Sequence, residues 1–406
     1  MASISPSPPP GRRALVVATF ASFALAGFAF ASWAGRIPAV RTTLGLTSGQ
    51  LGVLLLLGAA GSLTGLPLAG RVATRIGTAR TVLGGAALVM VGMLALGPAI
   101  VEARSAALTA AVLYVITLGM GVWDVAMNLH GAEVDHSGAS NLMPRFHAGF
   151  SMGTVLGAVS AALLTAGDVG LQPHFATVGV ALFAAIWLAT RAFLPRAPRP
   201  EVAAAATGGH SGATGSAWRE PRVLMVGVVV MIAAFTEGTA NDWLSLAFVD
   251  GHGVPEWAGI LGLATFLTAM TAGRIVGAAF IARHGRAAVL RATFAAAAVG
   301  AVMTALGSPA VAYAGAAVWG VGASLGFPVG MSAAADDPAR AAARVSVVST
   351  IGYVAFLAGP PLLGFLADHW GVLRALLVVA AMAMAAVAAA PATEAHGGGP
   401  GARRAH

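Results

Sequence analysis

Polar and ionisable side chains that could do chemistry are few in this chain, and most lie inside long apolar runs. Asp124 and Asn128 are four residues apart, and Thr117, Gly121 and Gly131 share their helical face. Glu237, Asn241 and Ser245 repeat every four residues on another run, while Asp242 is turned about 140 degrees from Glu237 on a regular helix. His147 opens a further run, and Arg274 is the one basic residue well inside one. A carboxylate at bilayer depth can trade a proton with a gradient, an amide and an imidazole can relay or orient it, and the planar fork of Arg274 suits a carboxylate or several hydroxyls. The alternative for Asp124, Asn128 and His147 is hydrogen bonding that holds helices together. Arg274 could bind a solute, or serve as the countercharge of Asp124 or Glu237.

Such residues need elements that hold them in a membrane, and composition supplies these. The 406 residues are 58% hydrophobic and 9% charged, where a soluble domain carries about 25% charged residues. Twelve spans of about 20 residues need about 240 apolar positions, close to what is present. Apolar runs fall near 14–34, 48–70, 80–99, 106–130, 145–167 and 172–193, then near 222–248, 256–282, 287–306, 309–332, 344–366 and 371–391. The first run is retained rather than cleaved, since eleven more follow it. With no cysteine, thiolate metal sites, disulfides and cysteine nucleophiles are excluded.

The net charge of +8 reads as topology rather than nucleic-acid binding. With the N-terminus inside, arginines 12, 13, 71, 75, 80, 145, 191, 196, 199, 219, 222, 283, 286, 291, 340, 344, 403 and 404 lie on one side. Arg36, Arg41, Arg104 and Arg374 lie on the other. This bias puts both termini in the cytoplasm. The expected organisation is a disordered start (1–13), a six-helix bundle (14–194), a Pro-, Ala- and Gly-rich cytoplasmic linker (195–220), a second bundle (221–391) and a disordered tail (392–406).

The halves repeat. Ser32-Trp33 aligns with Asp242-Trp243, Thr47–Gly52 with Val254–Gly259, Arg75-Ile76-Gly77 with Arg283-His284-Gly285, and the Gly119/Gly121 pair with Gly320/Gly322, in preserved order. The stretch Gly70-Arg71-Val-Ala-Thr74-Arg75-Ile-Gly77-Thr-Ala-Arg80 resembles the loop signature of the major facilitator superfamily, and the resemblance covers nearly all of the chain. Ser32–Pro38, Asp124–Asn128 and Asn241–Trp243 are similar to a bacterial inner-membrane branch loosely grouped with fucose permeases. The resemblance implies an all-α integral membrane fold of twelve transmembrane helices in two pseudo-symmetric six-helix bundles. It also implies a solute cavity between the bundles, and gating loops at Gly70, Arg71, Arg75, Gly77 and Arg80 and at Arg283, Gly285 and Arg286. Thr74 and Ala282 stand where the signature has Asp, which puts its interdomain latch in doubt.

Glu237 is expected to line the cavity, and Asp242 to be an outer gate or a cap. The two acids share a cavity only if the helix breaks, for which Gly238 offers a place. Trp33 and Trp243 could stack on a solute or anchor the outer interface, and Arg36 beside Pro38 could be a gate or the outer boundary. Gly149, Gly153 and Gly157 form a packing ladder. Gly149-Phe-Ser151-Met-Gly153 matches a nucleophile-elbow pattern, but inside an apolar span it lacks the strand–turn–helix that motif requires.

A channel lacks visible filter loops, and a sensor lacks an output module. The expectation is therefore no enzyme but a monomeric secondary transporter of the inner membrane, working on a small polar, sugar-like solute by alternating access. It would be proton-coupled, need no cofactor or metal beyond the proton gradient, and have the solute and the lipid bilayer as partners. Proton-driven efflux of amphipathic compounds and uncoupled uniport are the alternatives.

Overall fold

Helix boundaries follow from local chemistry. Thr47 closes a capping box, accepting from the Gln50 N–H (3.2 Å) while its own N–H donates to Gln50 Oε1 (2.9 Å). Pro38, Pro144, Pro221 and Pro309 sit in first turns, where a missing N–H costs nothing. Gly77 and Gly285 take φ of +86° and +84°, a backbone that L side chains avoid. Each reverses the chain in one residue at equivalent points of the two halves.

The computed structural model describes residues 11–136, 142–193, 217–337 and 340–394. Among these, twelve helical segments are long and apolar enough to cross a membrane: Arg12–Leu44, Ser48–Ile76, Thr78–Val101, Ala106–His136, Met143–Ala166, Leu171–Thr190, Pro221–Gly251, Glu256–His284, Arg286–Leu306, Pro309–Ala334, Ala341–Trp370 and Val372–Thr393. They are spans one to twelve below, and no strand occurs among the described residues. Span one runs past Arg36 because Gly35 and Pro38 let a second helix, Ile37–Leu44, follow at once.

The chain forms two compact units, one of residues 1–207 with Pro255–Ala264, the other of residues 208–254 with 265–406. In the first, Ile260 packs on Ala161 and Ala162. Most of the expected linker, 194–216, and positions 1–10 lie outside the described residues. Of the expected tail, 395–406 lies outside them too, whereas Ala390–Thr393 forms a 3-10 turn. That turn is held because Arg222 donates to the carbonyls of Ala392 (3.1 Å) and Glu394 (2.8 Å).

Small residues set the packing inside the first unit. A Cβ at Gly153 would run into the Ala24 carbonyl, and one at Gly157 into the Phe28 carbonyl, so span five lies directly on span one. Ser151 is 4% exposed within this ladder, which gives the Gly-x-Ser-x-Gly match a packing role.

Candidate functional site

Arg274 has one of its possible partners. Its Nη2 donates to Glu237 Oε2 at 2.9 Å and its Nε to the Ser324 carbonyl at 3.3 Å. The pair thus joins spans seven, eight and ten of the second unit. Both side chains are partly open, Arg274 at 30% and Glu237 at 22%. The guanidinium has five N–H donors, and these two bonds leave others directed elsewhere. Along the Glu237 face, the next two turns present Asn241 Oδ1 and Ser245 Oγ, both buried without a hydrogen-bond partner. Buried polar atoms are normally satisfied, so this face holds two unused acceptors, closed to solvent in this structure, beside a charged donor.

The helix Pro221–Leu246 runs unbroken through Gly238, and its only irregularity is the later π-turn Ala247–Gly251. The expected break is therefore absent. Gly238 is accommodated as an ordinary helical residue, and the two acids of span seven face different neighbours. Glu237 meets Arg274, whereas Asp242 lines a small niche against Ala355, Phe356, Gly359 and Pro360 of span eleven. Trp243 lines the same niche and is 1% exposed. It is enclosed among the helices of the second unit, and its indole N–H is buried without a hydrogen-bond partner.

In the first unit, Asn128 Nδ2 donates to the Asp124 carbonyl (2.9 Å) and to Asp124 Oδ1 (3.3 Å), and the Asp124 side chain lies on an exposed part of span four. The rest of the expected polar stripe is a packing face. Thr117 donates to the Gly58 carbonyl, Gly121 abuts Ser62, and Gly131 abuts Met143 and Phe146. Short side chains there serve helix contact rather than a cavity. His147 is exposed and stands edge-on to Phe23 at 5.3 Å.

Arg36 is 3% exposed. It donates to Thr165 Oγ1 and, at 2.6 Å, to the Val169 carbonyl, so it clasps the end of span one to the turn after span five. Trp33 is half-buried with its ring 6.3 Å from Phe175. The residues read as a gating loop after span two are mostly helical: Gly70, Arg71 and Arg75 lie in Ser48–Ile76 and Arg80 in Thr78–Val101, leaving Gly77 as the turn. Arg283 and Arg286 likewise flank Gly285 on helices.

Sequence reasoning missed a charge network in the second unit. Asp336 accepts from Arg286 (2.6 Å) and Arg222 (2.9 Å), and Arg286 also donates to Ser332 (3.1 Å). Glu220 pairs with Arg340 (2.5 Å) and Arg344 (2.8 Å). Burial alone would raise the Asp336 carboxyl, but hydrogen bonds from Arg286 and Arg222 outweigh it and hold it below the usual range. Thus Arg286 has a carboxylate partner although Ala282 supplies none.

Twelve apolar spans that carry an ion pair and unpaired polar atoms define a polytopic membrane protein, and relatives place it more narrowly. The Major Facilitator Superfamily model matches residues 19–343, and the chain belongs to that family. It is 32% identical over 362 residues to an uncharacterized MFS-type transporter of Yersinia pestis, covering 87% of this chain and 88% of that one. It is 29% identical over 376 residues to the membrane protein MosC of Rhizobium meliloti, covering 92% and 88%. Its fold matches the nucleoside transporter NupG (D323A mutant) with TM-score 0.77 at 14% identity, covering 94% of this chain and 99% of that one. It also matches an inward-facing bacterial homolog of the human lysosomal transporter Spinster with TM-score 0.72 at 13% identity, covering 95% and 98%. The protein is a multi-pass secondary transporter and not an enzyme.

Proposed function

We propose that this transporter moves a small polar solute, sugar-like or a related metabolite, by alternating access and in symport with protons. In this reading it acts as a monomer in the bacterial inner membrane, with both termini in the cytoplasm and no cofactor beyond the proton gradient. The observation that carries it is the Glu237–Arg274 pair at 2.9 Å, followed along span seven by the unpaired Asn241 Oδ1 and Ser245 Oγ. A neutral polyol or amide can take donors from the guanidinium and give its own hydrogens to Glu237, Asn241 and Ser245. A bare cation would be repelled by Arg274. A carboxylate would have to displace Glu237 from it. Asp124 with Asn128 supplies a second polar position in the first unit.

Thermal-shift screening of the purified protein against sugars, organic acids and cationic amphipaths, at two pH values, tests the solute class. Uptake of any hit into proteoliposomes under an imposed pH gradient tests the coupling. Sugar-like hits whose stabilisation disappears in Glu237→Gln and Arg274→Gln support the assignment. Stabilisation by cationic amphipaths alone would replace it with the efflux reading, and hits unaffected by either substitution would move the site elsewhere.

A further inference from the structure

Span seven carries two acids, and the solute reading uses only Glu237. Asp242 is turned toward span eleven, in a niche lined by Phe235, Gly238, Thr239 and Trp243 from its own helix and by Ala355, Phe356, Gly359 and Pro360 opposite. Free space there is about 10 Å³, room for about one water. Asp242 makes no hydrogen bond or ion pair with any described residue, and no other ionisable side chain lines the niche. Glu237 is engaged by Arg274. The ionisable residues of span eleven are Arg344, Asp368 and His369 at its ends and Tyr353, whose ring lies 6.4 Å from that of Phe356, and helices Gly326–Ala334 and Leu377–Ala389, which also pack on span seven, contain none. Tyr313, on span ten, is placed against Phe248, and Asp250 sits in the π-turn beyond.

The facing helix is chemically unusual. Pro360 and Pro361 lie inside Ala341–Trp370, and a proline lacks the N–H that would bond the carbonyl four residues earlier. The Phe356 carbonyl therefore lacks its helical donor, and Phe356 lines the niche. A carboxylate in such surroundings is costly without a countercharge. A metal cation would need several oxygen ligands, which these mostly apolar walls do not supply. A proton needs none, and it turns Asp242 from an acceptor into a donor.

We infer that Asp242 carries the coupling proton: protonated, it donates from its carboxyl to a backbone carbonyl freed by Pro360, and on losing the proton it releases span seven from the proline pair of span eleven. This rests on the proton-coupled reading above but assigns the proton to a site separate from the Glu237–Arg274 pair.

The test is infrared difference spectroscopy of the full chain in lipid nanodiscs, titrated with pH in the absence of solute. A protonated-carboxyl band that appears on acidification should vanish in Asp242→Asn and persist in Glu237→Gln. Pro360→Ala gives the Phe356 carbonyl its helical donor back, so the band should persist there but shift in frequency as the carboxyl loses its acceptor. That variant keeps Asp242, and so protects the test from a simple folding loss in Asp242→Asn. A band unchanged in Asp242→Asn, or unshifted in Pro360→Ala, overturns the assignment, as does a band removed by sodium at constant pH. Uptake indifferent to a pH gradient, with the Asp242 band intact, would overturn the coupling reading and leave the proton site. Gradient-driven uptake preserved in Asp242→Asn would overturn the assignment alone.

Discussion

Neutralising one partner of the Glu237–Arg274 pair leaves the other charged in a site only 22% to 30% open. In Glu237→Gln the amide oxygen can still accept from Arg274, but the carboxylate's charge is gone, and the guanidinium is left with neutral acceptors only, the amide and the Ser324 carbonyl at 3.3 Å. A hydrogen bond to a charged group contributes about 1.5–3 kcal/mol, and breaking a fully buried pair costs about 3–5 kcal/mol. The partial exposure argues for the lower range, so each single substitution, Glu237→Gln or Arg274→Gln, should cost about 2 kcal/mol. The double variant removes both charges and leaves neither stranded. It should cost about 2 kcal/mol as well, not 4, a coupling of about 2 kcal/mol. Equilibrium unfolding of the four proteins in mixed micelles, followed by tryptophan fluorescence, closes the cycle. Single costs that add to within about 0.5 kcal/mol would show that the two groups act independently and would refute the pair as a unit.

Three further outcomes follow from packing and charge. Because Asp336 is held below the usual carboxylate range by Arg286 and Arg222, its stabilisation is fully present above the unfolded value near 4 and is lost as pH falls through the lower folded value. Acid unfolding of Asp336→Asn should therefore be less steep than that of the parent, and identical pH profiles would remove Asp336 from the network. Gly153→Leu places a side chain against the Ala24 backbone, so span five must move off span one. A loss of at least about 1–3 kcal/mol is expected on thermal unfolding, with Gly84→Ala, which meets open space, near neutral. Gly77→Ala and Gly285→Ala force a non-glycine residue to φ near +85° and should each cost about 1–3 kcal/mol, whereas Gly11→Ala should leave stability unchanged.

The sequence shows the spans because a bilayer imposes a one-dimensional rule: about 20 apolar residues per crossing, punctuated by arginine, proline and glycine. The matched turns at Gly77 and Gly285 were legible for the same reason, since a one-residue reversal needs glycine wherever it falls. The site was legible only in part. Glu237, Asp242 and Arg274 stood out as ionisable residues at depth, but their grouping did not. Span seven meets span eight with Arg274 ten residues before His284 and Glu237 sixteen residues after Pro221, and the long arginine side chain bridges this offset of register. The stripe Thr117, Gly121 and Gly131 misled because small and polar residues serve close helix packing as readily as a cavity.

Residue type, count and order in the sequence were thus enough to determine a twelve-span transporter of the Major Facilitator Superfamily, because burial in lipid acts on each segment separately. Which acid pairs with the arginine, which one faces the prolines of span eleven, and that Trp243 and Arg36 are buried were decided only by the tertiary structure. Those properties depend on the rotation and register of one helix against another, which side chains distant in the chain fix together through packing and hydrogen bonds.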